Sequence, residues 1–315
     1  MKKKIKPLST KKAKTYPLKK RKSKVAGEKL ARVYGKGASF SEFMDTLPGI
    51  LAAEDIKAVV SAIIKAKKNG RTVALSMGAH VIKTGLTPLV VDMMEAGIID
   101  SIAMNGACVV HDFELAYAGA TSEDVDKELK TGKFGMAKET GELINGAINK
   151  GVKKGLGIGA SVGEMIKRSR YAGKDKSILA AGARLGIPVT VHVALGTDII
   201  HLHPSMDGAL TGLGTQRDFE LFAGVVATLD KGVFINIGSA VIMPEVFLKA
   251  LTLARNTGHR VRDITTVNMD FIQHYRPVTN VVRRPTMTGG RGITLTGHHE
   301  IMVPLLFAAV KEAMK

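Results

Sequence analysis

The sequence has 315 residues, enough for one large α/β core, and we expect a single main domain. Aromatic residues make up only 5%, and 34 Gly and 14 Met lie among short Val, Ile and Ala runs, as is typical of strands buried between helices. One cysteine, Cys108, excludes an internal disulfide, and no stretch approaches the roughly 18 apolar residues of a membrane helix. No apolar stretch of secretory type follows the first lysines, so we expect a cytoplasmic protein without membrane contact.

The positive charge is concentrated at the beginning of the chain. Residues 1–24 hold 12 Lys and Arg and no acid, so the formal net charge of +18 falls to +6 for residues 25–315. Because this segment has few apolar residues, we predict a disordered basic arm at 1–24 and one domain at 25–315. Two alternatives for the arm are binding to an acidic partner, such as nucleic acid or the ribosome, and packing on a neighbouring subunit.

The first predicted elements are two helices, a strand and a third helix. A short helix is predicted at 39–44, and apolar residues at helical spacing predict a second one at 53–67. Gly70 ends that helix, and the run TVALSMGAH predicts a strand that breaks at Gly78. A helix over 89–96 follows and ends at Gly97.

The strand, turn and helix pattern then recurs along the chain. Further strands are predicted in IIDSIAMNGA, IPVTVHVAL, GVFINIGSAV and DITTVNMDF. Helices are predicted in CVVHDFELAYAG, around 219–229, in PEVFLKALTLARN and in the closing VPLLFAAVKEAMK. Such consecutive units predict an α/β fold, a Rossmann-like parallel sheet with helices on both faces.

Two glycine-rich segments are predicted to lie outside the sheet. Residues 121–176 are predicted as an insertion of helices and loops, in which GLGIGASVG is a flexible connector because no P-loop Lys-Ser/Thr follows Gly163. RRPTMTGGRGIT is predicted to lie in a loop before the final helix, where it either clamps phosphate or is exposed and mobile.

Polar and small residues follow the predicted strands at five places. Ligands in such sheets bind beyond the carboxyl ends of the strands, where small residues allow the backbone to approach a phosphate or ribose. The residues at these ends are Gly78, Ala79 and His80; Asn105, Gly106 and Ala107; Thr197, Asp198, His201, His203 and Asp207; Gly238 and Ser239; and Asn268, Met269 and Asp270.

The order of these segments resembles the deoxyhypusine synthase family. The similarity runs from about residue 35 to the end, through MGAHVIKTGL, NGACVVHDFE, IPVTVHVALGTD, NIGSAVIMPEV and MVPLLFAAVKEAM. The resemblance implies an NAD-binding Rossmann-like fold in a homotetramer, with active sites shared across a subunit interface. Family members oxidise spermidine with NAD and transfer its aminobutyl group, through a lysine imine, to a lysine of a translation factor. By position, the resemblance implies that NAD is lined by Ala79, Asn105, Gly106, Ala107, Asp198, Gly238, Asn268 and Met269, and Ser239 adjoins them.

The catalytic positions of that family are altered in this chain. Asp112 matches the last acid of the family's Glu-Glu-Asp motif, but the glutamate before it is His111. The acids that attract the polyamine are replaced by His201 and His203, and the imine-forming lysine is replaced by Met243. A thioether forms no Schiff base, so we expect the imine route to be closed unless Lys83, a candidate beside the dinucleotide turn, replaces that lysine.

The histidines allow three interpretations. In an extended segment His201 and His203 share one face, and His192, the His298-His299-Glu300 run and His111 converge with them if their turns meet. Such a cluster holds a metal, transfers protons or binds a polar ligand, or its members are purely structural. No defined zinc motif is present, and we assign no metal ligand.

Two classes of function follow. The first is an NAD-dependent enzyme that acts on an amine or amino-acid-like substrate without a lysine imine, with Asp112 and a histidine as acid and base. The second is a non-catalytic, regulatory dinucleotide-binding protein. Deoxyhypusine synthase activity with a substitute lysine is a third alternative, which borohydride trapping of a spermidine adduct would detect.

Deletion of residues 1–24 should leave folding intact, because the arm has too little apolar surface to belong to the core. We expect the shortened chain to melt within about 2 °C of the full chain, which corresponds to less than about 1 kcal/mol. A much larger fall in melting temperature would show that the arm packs on the domain or on another subunit.

Overall fold

Six strands form one parallel sheet in the computed structural model, which describes residues 3–314. The strands are β1 Val73–Met77, β2 Ser101–Asn105, β3 Val189–His192, β4 Val233–Ile237, β5 Ile264–Asp270 and β6 Gly290–Thr296. Their order across the sheet is β3-β2-β1-β4-β5-β6. Successive strands are therefore added on one side of β1 as far as β3 and on its other side from β4 onwards, so the strand order reverses between β1 and β4. This order is that of the Rossmann fold, which confirms the predicted fold class.

Within the described residues, thirteen helices precede, connect or follow these strands. They are α1 Phe40–Thr46, α2 Leu51–Lys68, α3 His80–Lys83, α4 Thr87–Glu95, α5 Gly106–Ala118, α6 Val125–Leu129, α7 Lys138–Lys153, α8 Ile158–Arg168, α9 Ile178–Leu185, α10 Gly208–Ala227, α11 Ile242–Asn256, α12 Tyr275–Pro277 and α13 His299–Ala313. A π-helix covers Val278–Arg283, and short 3₁₀ turns include Ile199–Leu202.

Both faces of the sheet are covered. On one face Phe234 of β4 stacks on Phe247 of α11, with ring centroids 3.7 Å apart, and Phe222 of α10 packs beside them. On the other face Leu75 of β1 lies beside Ile102 and Ile235 in register and joins a larger cluster with apolar residues of α2, α4, α5 and α13. Because successive side chains along each strand point to opposite faces of the sheet, the core is divided into two layers.

The segment GLGIGASVG is not a flexible connector, because most of it belongs to α8. That helix packs so closely on β3 that a Cβ built on Gly159 would overlap the carbonyl oxygen of Val189. Asp218 of α10 stabilises the same junction, since its Oδ2 accepts hydrogen bonds of 2.9 Å from the backbone N–H groups of both Gly159 and Val191. These glycines therefore permit close packing rather than flexibility.

The second glycine-rich prediction also needs correction. The end of RRPTMTGGRGIT forms the edge strand β6, which pairs in parallel with β5 from Gly290 to Thr296. Side chains of β6 alternate between buried and exposed, as in a strand with one face in solvent. This part of the segment is therefore a strand rather than a mobile loop, and the phosphate clamp stays a prediction.

All residues from 3 to 24 are exposed and form only two short 3₁₀ turns, Thr10–Lys12 and Leu18–Lys20. The disorder of the arm remains a prediction. Between residues 3 and 314, no helix combines the length and the apolar character needed to cross a membrane.

Substitution Gly159→Ala should destabilise the protein by about 2–3 kcal/mol, because the new methyl group forces α8 away from the backbone of β3. Gly146→Ala in the middle of α7 is the matched control, since no atom lies within 4 Å of a Cβ built there. The control should be neutral or stabilise by up to about 1 kcal/mol through helix propensity. Urea unfolding measures both; equal effects of the two substitutions would refute the packing argument.

Candidate functional site

Two glycine turns meet where the strand order reverses. A Cβ built on Gly78, just after β1, would overlap the carbonyl oxygen of Gly238, just after β4. Gly238 also has φ of 65°, a left-handed conformation that favours glycine. The half-buried Ala79 and the buried Ser239 follow these turns, and the Ser239 hydroxyl accepts a 3.2 Å hydrogen bond from Met243 N in the first turn of α11. The sheet thus has a switch point of the kind that binds ligands in open α/β folds.

A ladder of buried amides and hydroxyls fixes this switch point. Ser76 donates to Asn236 Oδ1 at 2.9 Å, Asn236 Nδ2 donates to Asn268 Oδ1 at 2.7 Å, and Asn268 Nδ2 donates to Gln273 Oε1 at 2.7 Å. The side chains of Asn268 and Met269, both predicted to line a cofactor, are fully buried in the sheet. In the structure these two side chains therefore help to hold the ends of β4 and β5 in place.

Met243, at the position assigned by resemblance to the imine lysine, is a core residue. Its side chain is fully buried in the cluster that contains Phe222, Phe234 and Phe247. An amine at this place would lie in an apolar environment that destabilises its charged form.

A cavity of about 230 Å³ lies beyond the ends of β2 and β3. Five residues predicted from the sequence line it, namely Lys83, Ala107, His111, Thr197 and Asp198, together with Glu114, Glu123, Val110, Val125, Phe134 and others. Glu114 and Glu123 were not predicted, although Glu114 lies three residues after His111 on the same face of α5 and this spacing indicates a shared surface.

Hydrogen bonds connect the polar wall of this cavity. His111 Nδ1 lies 2.6 Å from Thr121 Oγ1, which donates to Glu114 Oε2 at 2.5 Å. The other oxygen of Glu114 accepts from Thr140 at 3.0 Å. Burial and the nearby Lys83 lower the pKa of His111, and Glu114 raises it. The net effect is a lowered pKa, which favours the neutral imidazole. The wall therefore presents a neutral imidazole beside a carboxylate.

Asp198 covers the N-terminus of α5. A Cβ built on Gly106 would overlap Asp198 Oδ2, so glycine is required where the carboxylate approaches the helix. Burial raises the pKa of Asp198 to about 6, opposed by hydrogen bonding from Ala107 N. Oδ2 is buried and has no hydrogen-bond partner in the structure. A carboxylate oxygen with unused capacity thus lies at the cavity.

The two histidines after β3 do not share a face, because Ile199–Leu202 is a 3₁₀ turn rather than an extended segment. His201 Nδ1 accepts from the backbone N–H groups of Gly196 and Asp198 at 3.1 and 3.2 Å, and it shapes the turn. His203 is buried and donates through Nε2 to the carbonyl oxygen of Gly135 at 2.8 Å. Neither lines the cavity.

Asp112 lies away from the cavity and caps α9. Its carboxylate accepts hydrogen bonds from Ser177 Oγ at 2.5 Å, Ile178 N at 2.9 Å and Leu179 N at 3.2 Å. Burial nevertheless raises the pKa of this carboxyl to about 6, because desolvation outweighs the three hydrogen bonds. The structure does not bring Asp112 together with the other predicted catalytic residues. Across residues 3–314, no three His, Cys, Asp or Glu side chains are grouped so that they could hold a metal ion.

A third group of residues lies at the ends of β5 and β6. The buried His299, first residue of α13, lies with Nε2 3.7 Å from Asp270 Oδ1, and its ring centroid is 5.3 Å from that of His80. A Cβ built on Gly238 would lie 2.7 Å from Cε1 of the His299 ring. The sequence predicts that the His298-His299-Glu300 run joins the β3 histidines if their turns meet, whereas the turn after β6 places His299 against Gly238 at the switch point.

Comparison with known proteins shows a shared fold. No family model matches the chain. The chain is 33% identical over 73 residues to an ornithine cyclodeaminase of Methanothermobacter thermautotrophicus, a match that covers 23% of this chain and 18% of that protein. It is similar to the ternary complex of AgrE with ornithine and NAD⁺, with a TM-score of 0.51, 17% identity, and coverage of 85% of this chain and 34% of the other. It is also similar to a candidate deoxyhypusine synthase from Entamoeba histolytica, with a TM-score of 0.56, 13% identity, and coverage of 90% and 98%.

The chain therefore spans less than a fifth of the ornithine cyclodeaminase and about a third of AgrE. At these identities the two solved structures establish the α/β class and the Rossmann-like sheet.

The raised pKa of Asp112 generates a prediction about stability and pH. Since the folded carboxyl titrates near 6 and an unfolded one near about 3.9, the folded state binds more protons between these values. The unfolding free energy should therefore fall as pH rises from 4 to 7. Relative to an Asp112→Asn variant, which lacks the titrating group, the parent should lose up to about 3 kcal/mol over this range.

Urea unfolding of both proteins at several pH values measures this difference. Asp175→Asn, at an exposed carboxyl, is the control for the change in charge. A difference between parent and Asp112→Asn that does not vary with pH would contradict the burial of a titrating carboxyl at α9.

Proposed function

We propose that this chain is an NAD-dependent enzyme that acts on an amine or amino-acid-like substrate. The observation that carries the proposal is a cavity with one polar and one apolar wall, which lies beside the switch point at the ends of β2 and β3. In sheets of this order a dinucleotide crosses the crevice at the switch point, with its adenosine half over β2 and β3 and its nicotinamide half over β4. The cavity and the two glycine turns occupy corresponding places.

The lining of the cavity suits an adenosine. Val110, Val125 and Phe134 offer an apolar wall for the base, while Glu114, Glu123 and Asp198 offer carboxylate oxygens for ribose hydroxyl groups. A 2′-phosphate would meet these carboxylates and be repelled, so the proposed cofactor is NAD rather than NADP.

The remaining cofactor contacts are assigned from position. Lys83, exposed at the cavity, is proposed to pair with the pyrophosphate, and Ala79, Asn105, Gly106 and Ala107 to approach it through the backbone. Gly238 and Ser239 are proposed to line the nicotinamide half. Two buried polar atoms without partners, Asp198 Oδ2 and His299 Nδ1, lie along this path and supply unused hydrogen-bonding capacity. Bound NAD would supply the hydride acceptor for the reaction.

The substrate class is supported by the comparisons. AgrE, which shares the fold, was crystallised with ornithine and NAD⁺, and a quarter-length stretch of this chain is similar to an ornithine cyclodeaminase. We therefore propose an amino acid or an amine as substrate, and a homotetramer by resemblance to deoxyhypusine synthases. The regulatory alternative requires nucleotide binding without turnover.

Calorimetry with NAD⁺, NADH and NADP⁺ tests the cofactor. We expect NAD⁺ and NADH to bind, NADP⁺ to bind at least about 10-fold more weakly, and Lys83→Ala to weaken NAD⁺ binding about 10-fold, equivalent to about 1.4 kcal/mol for the lost ion pair. Lys153→Ala, at an exposed lysine in the last turn of α7, is the control. Absence of binding at millimolar NAD⁺ would refute the proposed function.

Turnover is then measured as NADH formation with L-ornithine, L-arginine and L-lysine as probes. Reduction of NAD⁺ by any of them supports the enzyme, and nucleotide binding without turnover of any amine favours the regulatory alternative.

A further inference from the structure

The pair formed by Asp270 and His299 is built as an oriented imidazole. His299 Nε2 lies 3.3 Å from the carbonyl oxygen of Met269, to which only a protonated nitrogen can donate, and 3.7 Å from Asp270 Oδ1. Asp270 Oδ1 in turn accepts from Phe271 N at 2.8 Å, which fixes the carboxylate. These contacts place the proton on Nε2 and leave Nδ1 with a free lone pair.

The free nitrogen is unusual for a core histidine. His299 is 1% exposed, and its Nδ1 is buried without any hydrogen-bond partner in the structure. Buried polar atoms are nearly always partnered, so an unpartnered acceptor indicates a missing partner such as a ligand. The ring lies directly on Gly238, at the turn proposed to line the nicotinamide half of the cofactor.

An exposed histidine adjoins this imidazole. His80, the exposed first residue of α3, has its ring 5.3 Å from that of His299 at an angle of 62°. The groups that face His299 are Asp270 of β5, His80 of α3 and Glu300 of α13. Burial lowers the pKa of His299, partly opposed by Asp270, which favours a neutral imidazole near pH 7.

We propose that His299, oriented by Asp270, is the catalytic acid/base of the reaction at the switch point, and that His80 exchanges the proton of His299 with solvent. This inference rests on the proposed function. For an amine substrate, His299 Nδ1 takes one proton from the ammonium group, and the nitrogen lone pair forms the C=N bond as hydride leaves the adjacent carbon for NAD⁺. The products are an iminium ion, NADH and a protonated His299, so protons and electrons balance.

Substitution His299→Gln tests the role, because the glutamine amide still donates to Met269 O but carries no basic nitrogen. We expect NAD⁺ affinity within about 2-fold of the parent and a fall in kcat of at least about 100-fold with the amino acid that the parent oxidises. Asp270→Asn should lower kcat less, and His80→Ala should slow turnover in a manner that imidazole in the buffer rescues. His298→Gln, at the exposed neighbouring histidine, is the matched control.

NMR of the imidazole nitrogens in protein with ¹⁵N-labelled histidine is a second test that does not require turnover. We expect His299, assigned through His299→Gln, to be neutral with the proton on Nε2 at pH 7, and its Nδ1 resonance to shift when NAD⁺ is added. If NAD⁺ binds but Nδ1 carries the proton or does not respond, or if His299→Gln keeps the parent's kcat, this inference is wrong while the proposed cofactor stands. If NAD⁺ does not bind, the proposed function and this inference fail together.

Discussion

The reversal of strand order between β1 and β4 is the constraint on which the site depends. Because the chain departs in opposite directions from these two strands, the turns after them face each other, and here they meet through the backbones of Gly78 and Gly238. A side chain at Gly78 would separate the turns, whereas one at Gly238 would overlap the His299 ring and require an unfavourable positive φ. The buried ladder from Ser76 through Asn236 to Asn268 maintains this arrangement from within the sheet. The His299 ring lies against Gly238 of the same turn, so the two glycine turns and the proposed base are parts of one assembly.

Three buried aspartates illustrate how the same residue type serves structure and function. Asp112, Asp218 and Asp198 each face the N-terminus of a helix, namely α9, α8 and α5. Burial raises the pKa of Asp112 and Asp198 to about 6 and that of Asp218 to about 7. The described hydrogen bonds of Asp112 and Asp218 go to backbone amides and a serine, whereas Asp198 keeps an oxygen without a partner beside a cavity. Unused hydrogen-bonding capacity, rather than a raised pKa, thus distinguishes the carboxylate proposed to contact a ligand.

Periodicity was sufficient to predict the fold class but not every element. The five strands with continuous apolar runs were predicted, and all are present, because strands buried on both faces have that pattern. The edge strand β6 was missed, because its glycines and exposed threonines are also typical of loops. The glycines of α8 led to the prediction of a flexible connector, although they allow the helix to contact β3. Of the candidate catalytic residues, Lys83 and His111 do line the cavity. Asp112 and His203 could not be judged from sequence, because the partners that satisfy them lie more than sixty residues away in the chain.

We propose that a dinucleotide lies across the carboxyl ends of the strands, from the β2–β3 cavity to the turn after β4. Hydrogen–deuterium exchange followed by mass spectrometry, with and without NADH, measures this most directly because it reports every backbone segment at once. We expect slower exchange in peptides covering 78–84, 105–111 and 237–241, with no change in α7 or in residues 3–24. Protection confined to other segments, or none at saturating NADH, would contradict it.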